Sequence, residues 1–98
     1  MGYTTVVIEG FKHKGLERLF YTGSKKGVNP DQAQKLTDIL DRLDAAIKVE
    51  DMNYPGSDLH SLKGNYKGCW AVKVTVNWRV LFQFDNGNAS AVDYVDYH

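Results

Sequence analysis

His60, Lys63, Arg79, Asp96, Tyr97 and His98 are the residues of this chain whose chemistry reaches beyond packing. Two imidazoles and a phenol can move protons, only the imidazoles with a pKa in the neutral range, while Lys63 and Arg79 can hold a phosphate and its developing charge. Lys67 and Lys73 add two cations in the same stretch. The set suits metal-free cleavage of RNA, in which the 2′-hydroxyl attacks the adjacent phosphorus. The protein then supplies a base, an acid and cationic support, but no nucleophile. Spacing alone does not compel this. A lone histidine is more often a surface or hydrogen-bonded structural residue, and Arg79 beside Trp78 suits stacking as well as phosphate binding, so on spacing alone the structural roles carry more weight.

Other chemistries fit worse. His13, His60 and His98 lack the spacing of metal ligands, and a single cysteine, Cys69, excludes both a disulfide framework and a cysteine-based zinc cage; no metal and no cofactor are expected. Cys69 opens a strand and reads as a packing residue rather than a thiol nucleophile. Gly64 and Gly68 flank a turn and do not form a phosphate-cradling loop that leads into a helix. The strand aromatics suit a core better than a base-stacking platform.

Several elements must position these residues. Thr4 to Ile8 is β-branched and predicts a short strand, broken by Gly10. Phe11 to Thr22 predicts a helix with Leu16, Leu19 and Phe20 at helical spacing and Gly23 as its C-terminal cap. Asn29, Pro30 and Asp31 form the start of a second helix, whose apolar stripe is Leu36, Ile39, Leu40, Leu43 and Ile47. Asp38, Asp41, Arg42 and Asp44 lie on its polar face, and Met52 to Asp58 reads as a loop.

After residue 58 the period changes to two. Trp70 to Val76 and Trp78 to Phe84 predict two antiparallel strands, and Asp85-Asn86-Gly87-Asn88 predicts a tight hairpin into a third strand, Ala89 to Asp96. A three-residue loop, Val76 to Trp78, keeps the apolar faces together, with Val72 opposite Phe82, Val74 opposite Val80 and Thr75 opposite Arg79. Lys73 and Arg79 then share the exposed face. Continuing the second hairpin without interruption sets Phe82 opposite Ala91 and Arg79 opposite Tyr94. That register puts Tyr94, Asp96 and His98 on the exposed face and Tyr97 on the core side. Helices first and strands later predict an α+β fold, two N-terminal helices packed on one face of a small, mainly antiparallel sheet.

Ninety-eight residues, 43% of them hydrophobic, describe one domain over 1–98 with a thin core, since so small a domain hides little more than ~60% of its unfolded surface. Apolar runs such as Val80-Leu81-Phe82 fall far short of the ~20 residues of a membrane span. Together with the lone cysteine, this suits a cytoplasmic protein with no membrane partner. Twelve Lys plus Arg balance twelve Asp plus Glu, which excludes a protein that coats nucleic acid by bulk charge. The balance is uneven along the chain: +3 over residues 1–30, −4 over 31–59, +4 over 60–79 and −3 over 80–98. Paired charges between segments account for this, as does a local anion site at 60–79.

The sequence resembles the HigB toxins of the RelE/ParE superfamily of bacterial type II toxin-antitoxin modules. Four stretches carry the resemblance: Phe11-Lys12-His13-Lys14-Gly15-Leu16, Leu59-His60-Ser61-Leu62-Lys63-Gly64, Asn77-Trp78-Arg79-Val80 with Phe82-Gln83-Phe84, and Asp96-Tyr97-His98. Their combination in this order is far more specific than any one of them, and it outweighs the structural roles that spacing alone favours. It implies a ribosome-dependent mRNA endoribonuclease acting in the small-subunit decoding site. It also implies a HigA-type helix-turn-helix antitoxin as neutralising partner, with operator DNA contacted only through that antitoxin. By position, His60 and Lys63 fall on the family's active-site histidine and lysine, Arg79 on its phosphate-stabilising arginine, and Asp96, Tyr97 and His98 on its C-terminal cluster. This chain departs from the family at Ser61 and at Asn65-Tyr66, where the pattern often reads H-P-L-K-G-D-R, and at Thr75, where some members carry a second catalytic arginine. Lys63, Lys67 or Lys73 would then supply the missing cation. The ParE branch of the superfamily, which inhibits DNA gyrase without nuclease chemistry, is the alternative, but it has no need of histidines at 60 and 98.

Overall fold

The computed structural model describes residues 8–97; most of the strand expected at Thr4 to Ile8, and His98, lie outside them. Two helices, α1 (Lys14–Thr22) and α2 (Ala33–Ala45), precede four strands, β1 (His60–Ser61), β2 (Cys69–Lys73), β3 (Trp78–Asp85) and β4 (Asn88–Asp96). The strands form one antiparallel sheet in chain order, β1-β2-β3-β4. The α+β architecture is the one expected from the sequence. The very short β1 is the strand that periodicity does not reveal.

α1 starts at Lys14 rather than Phe11, because His13 caps it: its Nδ1 accepts the Leu16 N–H at 3.1 Å. Gly23 ends it at φ 77, in the left-handed cap predicted. Phe11 is instead bridged in parallel to Val92, and Ile8 to Ala89, so the segment entering α1 runs along β4. Gly15 lies where the chain crosses itself. A methyl group there would come within 2.5 Å of the Gly27 carbonyl oxygen.

Asn29 does cap a helical start, accepting the Asp31 N–H at 3.0 Å, but the turn Pro30–Gln32 is a 3-10 turn that leads into α2. Leu36, Ile39, Leu40 and Leu43 form the buried stripe of α2. Ile47 does not belong to it. The helix ends at Ala45, Ala46 turns to an extended conformation, and Ile47 is left 81% exposed. A further 3-10 turn, Val49–Met52, precedes the loop expected from Met52, and Met52 itself is fully buried. Within that loop Tyr54 lies under the Arg42 guanidinium, 4.5 Å from its ring centre, tying the connection to α2.

One sheet face packs on the helices through Val72, Val74, Val80, Phe82, Val92 and Tyr94. Both hairpin registers depart from expectation, in different ways. Between β2 and β3, Val72 lies opposite Val80 and Lys73 opposite Arg79, a shift of two residues from the expected pairing. The loop is wider because the Trp78 carbonyl takes both the Val74 and Thr75 N–H groups, at 2.9 and 3.3 Å. A shift of two preserves the alternation, so Lys73 and Arg79 still share the outer face.

Between β3 and β4 the expected two-residue turn holds from Asp85–Asn88 to Gln83–Ser90, then the register slips by one before Leu81–Asp93. Ala91 is at the slip, with φ 51. An odd shift reverses every later side chain. Tyr94 pairs with Val80 and is buried, Val95 pairs with Arg79, and Tyr97 falls on the outer face, contrary to the uninterrupted register. The reason is visible in the sequence of β4: without the slip, the Asp93 carboxylate would sit opposite Val80 on the core side, and Tyr94 would leave it. A left-handed alanine costs about 1 kcal/mol that glycine does not incur. Ala91→Gly is therefore expected to raise unfolding stability by up to about 1 kcal/mol in urea denaturation, with the fold unchanged.

Candidate active site

The outer sheet face is built by alternation from β1 to β4. His60 lies opposite Ala71, Ala71 opposite Leu81, Lys73 opposite Arg79, and Arg79 opposite Val95. Ala71 and Leu81 are buried yet stand apart from the helix-facing core, forming the apolar floor of this face. Around that floor stand His60, Lys73, Arg79 and Tyr97.

Arg79 is the most constrained of them. Its Nη1 donates to the carbonyl oxygens of Thr75, Val76 and Trp78 at 2.7, 3.1 and 3.0 Å, so the β2–β3 loop fixes the guanidinium. Its carbon lies 5.2 Å from the centre of the Tyr97 ring. The Tyr97 N–H donates to the Asn77 carbonyl at 2.6 Å, anchoring the residue to the same loop. Nε of Arg79 is buried with no hydrogen-bond partner among the described residues. Three bonds at one nitrogen leave the Nε and Nη2 donors outside them. Thr75 puts its carbonyl under Arg79 and accepts the Trp78 N–H with its hydroxyl at 3.4 Å. Thr75 thus sets the position of Arg79 from the neighbouring loop.

His60 Nδ1 lies 2.8 Å from the Asp58 carbonyl oxygen. A carbonyl only accepts, so Nδ1 carries the hydrogen and Nε2 of the neutral ring keeps its lone pair for a proton. Lys63 follows β1 at the start of a 3-10 turn, Gly64–Tyr66, and is exposed. An open cleft of about 570 Å³ is bounded by Leu62, Lys63 and Tyr66 from this turn and by Val95, Asp96 and Tyr97 from the end of β4.

Asp96 pairs with Trp78 and lines the cleft. Its charge also reaches Tyr94. Burial raises the Tyr94 hydroxyl above the usual phenol range, a hydrogen bond with the Asn29 backbone opposes this, and Asp96 adds to the rise. Tyr94 therefore stays protonated and donates to Gln32 Oε1, with its ring stacked 4.4 Å from that of Trp78. It is a structural residue, on the opposite face from where the uninterrupted register puts it.

Of the residues singled out from sequence, His60, Lys73, Arg79 and Tyr97 share one face, and Lys63, Asp96 and Tyr97 share its cleft. Lys67 is exposed beyond the 3-10 turn and does not line the cleft. Sequence reasoning missed Tyr66 and Val95. The signal for Tyr66 was an aromatic ring set between two glycines of a turn; Val95 reaches the face only through the slip at Ala91. Among the described residues, no three His, Cys, Asp or Glu side chains come together to hold a metal ion. No helix among them is long and apolar enough to cross a membrane.

Residues 9–98 match the HigB-like toxin family, the RelE-like toxin of the type II toxin-antitoxin system HigB. The chain is 41% identical over 92 residues to endoribonuclease HigB of Proteus vulgaris, covering 94% of this chain and 100% of that protein. It is 32% identical over 90 residues to toxin HigB-1 of Vibrio cholerae serotype O1 (strain ATCC 39315 / El Tor Inaba N16961), covering 90% of this chain and 94% of that one.

Proposed function

Because the chain belongs to the HigB-like family of RelE-like toxins from type II toxin-antitoxin systems, which makes an antitoxin its partner, we propose that its outer sheet face is the active site of an mRNA endoribonuclease. The observation that carries the proposal is the Arg79 guanidinium, fixed by three loop carbonyls and lying over Tyr97, whose own ring opens onto the cleft shared with Lys63.

The 2′-hydroxyl of the bound nucleotide attacks the adjacent phosphorus, losing its proton to a base. The bond to the 5′-oxygen breaks, that oxygen takes a proton from an acid, and the products are a 2′,3′-cyclic phosphate and a 5′-hydroxyl. Arg79 and Lys63 bind the phosphate and the extra charge of the transition state. His60, Tyr97 and His98 divide the proton transfers, and Asp96 orients its neighbours. Catalysis on these terms needs no metal.

A body with zero net charge, whose basic segments at 1–30 and 60–79 are offset by acidic ones, binds free RNA poorly, so the substrate is mRNA presented by the ribosome in its decoding site. The antitoxin is of the HigA helix-turn-helix type, any operator contact runs through it, and the toxin acts in the cytoplasm. Primer extension on a translated message after induction tests the reading. Breaks are expected within the translated region, with strong loss of cleavage when the same RNA is offered without ribosomes. Gyrase inhibition with intact mRNA would decide for the gyrase-directed alternative.

A further inference from the structure

We propose that Tyr66 is a base-stacking residue that seats the nucleobase beside the scissile phosphate. This rests on the endoribonuclease reading above and names a residue that reading leaves without a role. Tyr66 is 45% exposed and lines the same cleft as Lys63 and Tyr97. Its backbone is held without help from its ring. The Tyr66 N–H donates to the Lys63 carbonyl at 3.3 Å, the Lys67 N–H to the Gly64 carbonyl at 3.1 Å, and Gly64 and Gly68 bracket the turn at φ 65 and 93. Only glycine enters that region at little cost, so the turn is a rigid mount whose conformation does not depend on what Tyr66 packs against.

Among the described residues the Tyr66 ring joins no aromatic pair, while Phe11, Phe20, Tyr21, Trp78, Phe82, Phe84 and Tyr94 all do. An exposed aromatic alone is ordinary. Here the ring borders a cleft that also holds a lysine three residues away and a second half-exposed tyrosine just past the end of β4. Cations on the backbone path and aromatic faces beside it are the two components of a single-stranded RNA groove, and stacking accepts any base because each has a π-face. Tyr97 is tied to Arg79 and the reacting phosphate; Tyr66, on the opposite wall with Lys63, takes the neighbouring base. Contact made equally in ground and transition states lowers KM and leaves kcat alone.

The test uses ribosomes programmed with an mRNA that carries 2-aminopurine in the cleaved codon and a 2′-O-methyl group blocking attack, alongside cleavage kinetics on the unblocked message. Parent protein and Tyr66→Phe are expected to quench 2-aminopurine fluorescence equally. Tyr66→Ala is expected to lose most of the quench and to raise KM about tenfold with kcat within about twofold, at an unchanged melting temperature. Parent-like quench and KM in Tyr66→Ala overturn the proposal and leave the nuclease reading standing, as does a Phe variant as impaired as Ala. A parent that quenches without cleaving supports stacking and removes the nuclease reading. A parent that neither quenches nor cleaves overturns both.

Discussion

Arg79→Ala is expected to slow cleavage of ribosome-bound mRNA by about 10² to 10³ in kcat, the usual loss when a preorganised donor to a developing oxyanion is removed. The magnitude follows from how Arg79 is held. Nη1 is spent on the carbonyls of Thr75, Val76 and Trp78, so the guanidinium is oriented before RNA arrives and its remaining donors need no reorganisation as charge grows on the phosphate. Arg79→Lys keeps the charge but cannot bridge three carbonyls and a phosphate from one planar fork. It is expected to recover part of the rate, with a weaker response than the parent to every phosphate-proximal change. Single-turnover cleavage measures both, and a melting temperature close to that of the parent separates lost chemistry from a loosened loop. The three carbonyls lie at a hairpin tip with Val76 77% exposed, where water replaces the lost donor. An Arg79→Ala protein that cleaves within threefold of the parent would remove Arg79 from the site. His98→Ala offers a second arm on the opposite side of the proton ledger, and retention of full toxicity in both variants would sink the assignment as a whole.

Inserting one residue after Ala91 is expected to unfold the protein. Carried past the slip as a further shift of one, the added residue turns Val92 and Tyr94 outward and sets Asp93 opposite Val80 against the helices. Each apolar side chain removed from the core forfeits about 1.5–3 kcal/mol, and an unpaired buried carboxylate adds more. A small domain holds only about 5–15 kcal/mol in total. Shifting the other half of the strand instead would displace the Asn86-Gly87 turn and the buried Ala89, at similar cost. Far-UV circular dichroism and urea titration distinguish the outcomes, with Ala91→Gly as a control that leaves the chain the same length. An insertion protein with the parent's midpoint and activity would show that the chain length at the slip does not decide which face Tyr97 occupies.

How far the sequence could be read follows from which physical signals are periodic. Leu36 to Leu43 declare a helix and Trp70 to Val74 a strand because side-chain spacing mirrors backbone geometry. Lys73 and Arg79 could be put on one face since a register error of two leaves alternation intact, whereas His60 stands on a two-residue strand too short to show a period. Tyr94, Asp96 and Tyr97 could not, because one left-handed alanine carries no periodic signature and reverses everything after it. The end of α2 escaped for a related reason: Ile47 fits the stripe by spacing, but the helix stops two residues earlier. The cleft was invisible as well, since it joins the turn after β1 to the end of β4, and no local pattern relates Lys63 to Tyr97.

The sheet's strand order also bears on how the molecule assembles. With β1, β2, β3 and β4 adjacent in space as in sequence, each pairing closes a short loop, and short loops form early because they cost little chain entropy. The bridges from Ile8 to Ala89 and from Phe11 to Val92 join the two ends of the described chain and carry the largest closure cost. The hairpins that carry Lys73, Arg79 and Tyr97 are thus the fast-forming part of the molecule. Docking of α1 and its leading segment on β4 is then the step expected to come last, and it seals Tyr94 beneath the helices.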